Sequence, residues 1–131
     1  MSQYSYIQEV IFTGVSYNSS EISRDFVDKC LDEQSSNEGE VELVPIKTEL
    51  CEAEDFPEDF PDYVYGITEK VIRYCDDPCY EEISNPTIIS YIRELPEFEL
   101  NIEHQNKVRN AIQINNLPNK LIKTYIVKYI F

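Results

Sequence analysis

Two strand-forming runs lie far apart in this 131-residue sequence, and a fold must find partners for both. The first, Tyr6 to Tyr17, contains Val10, Ile11, Phe12 and Val15, the β-branched and aromatic types that suit a pleated, half-buried surface. Gly14 within it fits a bulge or a close backbone approach. The second, Leu121 to Phe131, is a nearly unbroken series of Ile, Val, Tyr and Thr, the pattern of a strand in a central position. A third strand is expected over residues 40–48. There Val41, Leu43 and Ile46 alternate with Glu40, Glu42 and Lys47, and Pro45 points to an edge because it cannot donate to a ladder.

Helical spacing accounts for most of the rest. Asn18 and Glu21 have the spacing of a capping box, ahead of Ile22, Phe26, Val27, Cys30 and Leu31, so a helix is expected over residues 19–33. Gln34 to Gly39 is polar and aperiodic, a loop. Pro61 suits the first turn of a helix over 62–75, with Val64, Ile67, Val71 and Cys75 on one face. Asn85-Pro86 opens another, through Ile88, Ile89, Ile92 and Leu95 to Pro96. Asn101 caps a last helix reaching about Asn115 through Val108, Ala111 and Ile112. The expectation is an α+β fold: a small sheet of about three strands (N-terminal, middle and C-terminal) packed with about four helices. Its length matches one ordinary domain over residues 1–131, and a hydrophobic content of 42% is too high for a disordered chain.

Several chemistries lack the residues they need. The three glycines, Gly14, Gly39 and Gly66, are scattered, so no phosphate-cradling loop can be written. The single histidine, His104, reads as an exposed polar residue with no nucleophile placed beside it. Cys75 and Cys79, with Asp76-Asp77-Pro78 between them, are the best zinc candidates, but Cys30 and Cys51 are too far apart to form a second knuckle. No acidic spacing resembles a calcium loop. Neither a metal, a cofactor nor catalytic residues are therefore expected. Without a membrane-length apolar run or a secretory leader at Met1 to Tyr6, the expected address is the cytoplasm, with the cysteines as reduced thiols.

Charge is the dominant functional signal. The formal net charge is −14, from 25 acids against 11 Lys and Arg, and every acid lies within residues 1–103. Between Asp32 and Asp62 there are twelve acids and one base, Lys47. Such a field repels nucleic acid and anionic membranes and attracts cationic surfaces. The segment Glu52 to Tyr63 interleaves Glu52, Glu54, Asp55, Glu58, Asp59 and Asp62 with Phe56, Phe60 and Tyr63, and holds the tandem repeat Glu-Asp-Phe-Pro. Carboxylates give directional contacts to arginine, and aromatics supply the anchors of an interface. Together with Asp32, Glu33, Glu38 and Glu40, these residues form the expected partner-binding set. In size, charge and lack of catalytic motifs the chain resembles the small acidic immunity proteins that accompany secreted bacterial toxins, and that resemblance implies an inhibitor occluding the cleft of a basic, nucleic-acid-cleaving toxin. The alternatives are a phage or viral nucleic-acid mimic, a small carboxylate- and metal-dependent enzyme, and an assembly subunit docking through residues 120–131.

Overall fold

The structure, a computed structural model, describes residues 7–32, 39–46, 61–75 and 91–130. Along the chain these form β1 (Ile7–Tyr17), α1 (Arg24–Asp32), β2 (Glu42–Pro45), β3 (Tyr63–Cys75), β4 (Tyr91–Glu94), α2 (Ile102–Ile114) and β5 (Lys123–Ile130). The five strands make one antiparallel sheet in the order β2-β3-β1-β5-β4. β1 is the middle strand, paired with β3 on one edge and with β5 on the other.

This architecture corrects the expected three strands and four helices. The described residues form five strands and two helices, an α+β fold dominated by its sheet. The expected helix over 62–75 is β3, and of the helix expected from Asn85 to Pro96, residues 91–94 are β4 while 85–90 lie outside the described residues. The physical reason is visible in β3. Tyr65 and Ile67 are buried beneath the helices while Val64 is buried on the opposite face, so the apolar residues of Tyr63 to Ile67 do not alternate with polar ones. A run of that kind fits helical spacing as well as strand spacing, and the β-branched content decides in favour of the strand.

The remaining elements lie close to their expected places. β2 is an edge strand ending at Pro45. It is buried on both faces, however: Leu43 faces the helices and Val44 the other side, so Glu42 is half-buried rather than turned to solvent. β5 lies inside the sheet between β1 and β4, and the Leu95 amide donates to the Thr124 carbonyl, extending that pairing. On the side away from β1, residues 124–128 of β5 are thus covered by β4 and Leu95.

The helices cover one face. Val15, Tyr17, Leu43, Tyr65, Ile67 and Ile122 of the sheet side pack with Val27 of α1 and Val108 and Ile112 of α2. On the opposite face Val10, Phe12, Val44, Ile46, Val64, Tyr125 and Val127 form a second cluster, with Ile92 against it. Helix α1 starts five residues later than expected. Asn18 and Glu21 close a turn, with the Asn18 amide donating to the Glu21 carboxylate at 2.9 Å, and it is Ser23 that caps the helix by accepting from the Phe26 amide at 3.2 Å. Helix α2 is capped by Asn101, which accepts from the His104 amide. It ends in a Schellman motif: Asn116 takes a left-handed φ of 54°, its amide donates to Gln113, and the Leu117 amide donates to Ile112.

The register of β1 on β3 brings Gly14 opposite Gly66. A Cβ on Gly14 would stand 2.2 Å from the Tyr65 carbonyl oxygen, and one on Gly66 would stand 2.1 Å from the Thr13 carbonyl oxygen. Backbone atoms of paired strands cannot yield by that much without breaking the ladder. Gly66→Ala and Gly14→Ala are each expected to destabilise the domain by about 3 kcal/mol or more, the upper part of the overpacking range. Urea unfolding checks this, with the midpoint falling at unchanged m-value.

Candidate functional site

Four of the thirteen expected partner-binding residues lie among the described ones. Asp32 is exposed at the end of α1, and Glu40 is exposed just ahead of β2. Asp62 is half-buried and is tied into the fold. Its carboxylate accepts from the Ser19 amide at 2.7 Å, its amide donates to the Tyr17 carbonyl, and its carbonyl accepts from the Ile46 amide. Tyr63, the first residue of β3, packs against the helix-side cluster. Glu33, Glu38, Glu52, Glu54, Asp55, Phe56, Glu58, Asp59 and Phe60 lie outside the described residues. Cys30 packs against the helix-side cluster, while Cys51 and Cys79 lie outside the described residues. No grouping of three or more His, Cys, Asp or Glu side chains suited to a metal ion occurs among the described residues.

The acidic surface extends beyond the expected set. Asp25, Asp28 and Asp32 recur at helical spacing on the exposed side of α1, where Arg24 reaches Asp28 at 3.3 Å. That contact is open to water and contributes little. Glu97, Glu99 and Glu103 are exposed between β4 and the first turn of α2. Among the described residues, no ion pair or hydrogen bond engages the carboxylates of Asp25, Asp32, Glu40, Glu97, Glu99 or Glu103. Their charge is left facing outward, with Asp25 and Glu103 placed in the first turns of their helices where the helix dipole favours a negative charge.

Other charges work inward. Lys120 donates to the Ser16 carbonyl at 2.7 Å, reaches Glu21 at 2.8 Å and lies 5.0 Å from the centre of the Tyr17 ring. This bond to Lys120, with the Asn18 amide, holds the Glu21 carboxyl below the usual glutamate range. The Tyr17 hydroxyl donates to the Pro118 carbonyl at 2.6 Å, and burial, with the nearby Glu21 charge, pushes its pKa up to about 12. Tyr65, whose hydroxyl accepts from the Asn115 side chain, is likewise pushed up to about 12 by burial.

One pairing escaped the sequence reading. His104, expected as an exposed polar residue, is partly buried in the first turn of α2, with Nδ1 2.6 Å from a carboxylate oxygen of Glu69. Glu69 is an extra residue of β3, where two β3 residues oppose one of β1 between Ile11 and Phe12. A bulge turns a side chain from its regular direction, and here it delivers a carboxylate to the helix. The pattern gave no signal for this, because residues 62–75 carried helical spacing and a helix places Glu69 differently.

Compared with protein families, curated proteins and solved structures, the chain matches none.

Two outcomes follow from the buried carboxylates. With a side chain only 10% exposed, Glu69 relies on His104. His104→Ala is expected to destabilise the domain by roughly 2 kcal/mol, and Glu69→Ala, His104→Ala together by less than the sum of the single changes, because the stranded carboxylate is then gone. A double-mutant cycle by urea unfolding reads this. Glu42, on β2, accepts from the Thr68 hydroxyl at 3.3 Å, yet burial raises its pKa above the ordinary glutamate range. Its folded form therefore holds the proton more tightly than the unfolded chain, so ionised Glu42 weakens the fold at neutral pH. Glu42→Gln, which keeps the acceptor, is expected to raise the melting temperature at pH 7. The gain should disappear as pH falls through the ordinary glutamate value of about 4.3, measurable by thermal unfolding across pH.

Proposed function

We propose that this domain is a protein-binding inhibitor of immunity type, which neutralises a basic, nucleic-acid-cleaving enzyme by laying its acidic surface over the enzyme's cleft. The supporting observation is the set of exposed carboxylates that no described residue engages: Asp25, Asp32, Glu40, Glu97, Glu99 and Glu103. In a chain of net charge −14, such groups are available to guanidinium and ammonium groups on another molecule. A cleft built to hold phosphates offers those cations in an array. The acidic stretch from Glu52 to Tyr63, with Phe56 and Phe60, supplies further carboxylates and apolar anchors on this reading.

The test is capture on the immobilised protein from a lysate of its native cell, beside a variant carrying Asp25→Asn, Asp32→Asn and Glu40→Gln. The expected result is one basic nuclease held at low salt by the unaltered protein, released at high salt with its activity returning, and held poorly by the variant. Its association rate should fall on the order of tenfold or more as salt rises. Equal capture by the variant, or an enzyme that stays active in the complex, would overturn the reading.

A further inference from the structure

At the end of the sheet where β1 finishes, an open hollow of about 360 Å³ lies between β4 and the approach to β5. Its size is at the small end of ligand pockets, roughly 300–1,000 Å³. Arg93, Lys120 and Lys123 line it, three of the eleven Lys and Arg residues in a chain of net charge −14. Among the described lining residues Glu94 is the one carboxylate, and Lys123 holds it at 2.6 Å. Lys120 is fixed from behind by Ser16 and Glu21. Arg93 is different: it is exposed, and no ion pair or hydrogen bond engages its guanidinium among the described residues.

The walls are mixed in a useful way. Ile92 and Leu121, the latter 75% exposed, line it together with Ser16, Pro61 and Tyr125. Beside three cations, Leu121 is an apolar residue that the described residues leave largely open. A planar guanidinium with free donors is suited to two-point bonding with a carboxylate or phosphate, and the fixed ammonium groups add favourable potential without further ordering. We propose that this hollow binds a small anionic molecule, one carboxylate or phosphate group on a compact apolar body, anchored by Arg93. The anion meets Arg93 and the lysines, and the apolar body lies against Ile92 and Leu121. This site is independent of the acidic surface and stands whether or not that surface binds an enzyme.

The experiment is an amide NMR titration of the full chain with benzoate, phenyl phosphate and neutral benzamide. Saturable shifts confined to residues 92–95 and 120–125 are expected with at least one of the two anions, and the tighter of them distinguishes a carboxylate site from a phosphate site. Benzamide should bind at least tenfold more weakly than that anion. Arg93→Gln should weaken anion binding tenfold or more with the spectrum otherwise preserved. Leu121→Glu, a change at an exposed position of the lining, should do the same by placing a like charge beside the anion. No saturable shift with either anion, benzamide binding as tightly as they do, or unchanged affinity in both variants would overturn the proposal.

Discussion

The close approach of β1 and β3 at Gly14 and Gly66 is the contact on which the other packing depends. With no Cβ on either residue, the two backbones come together at the middle of the sheet, and Phe12 lies beside Gly66 on one face while Tyr65 remains free to meet the helices on the other. The Phe26 ring then stands edge-on to Tyr65, 5.7 Å between centres, and Asn115 at the end of α2 donates to the Tyr65 hydroxyl. Both helices are thus referenced to one tyrosine, whose position follows from its glycine neighbour.

A second set of interactions fixes the path from α2 into β5. The Schellman motif at Asn116 reverses the chain, Leu117 packs inward, Tyr17 secures the Pro118 carbonyl, and Lys120 joins the Ser16 carbonyl to Glu21. Some of the basic charge concentrated after residue 103 is therefore spent inside the fold, while many of the acids remain on the surface. The asymmetry of charge along the chain becomes an asymmetry between inward and outward roles.

How far the sequence could be read depended on how each element is buried. β1, β5, the edge strand at Pro45 and the Asn101 cap of α2 were legible because each combines a distinct composition with a positional marker. β3 was not, since burial on both faces erases the alternation that identifies a strand, and its β-branched residues were outweighed by an accidental helical spacing. β4 failed for a related reason: at four residues it is too short to show a period, and the Ile92 and Leu95 spacing suited a helix. In the candidate site, the exposure of Asp32 and Glu40 followed from their polar surroundings. The roles of Asp62 in joining Tyr17, Ser19 and Ile46, and of Glu69 in meeting His104, depend on strand pairing and on a bulge, which a one-dimensional pattern does not encode.

The strand order also has a consequence for how the chain is made. The middle strand is formed by residues near one end of the sequence, and one of its neighbours by residues near the other, with Ile7 paired to Ile130. Emerging from the ribosome, β1 can join β3 early, but its second edge stays open until β5 has been synthesised. Closing so long a loop carries an entropic cost, and pairings between distant segments slow folding. During that interval an apolar strand edge is available to other chains, so the nascent protein is at its most vulnerable just before its sheet is completed.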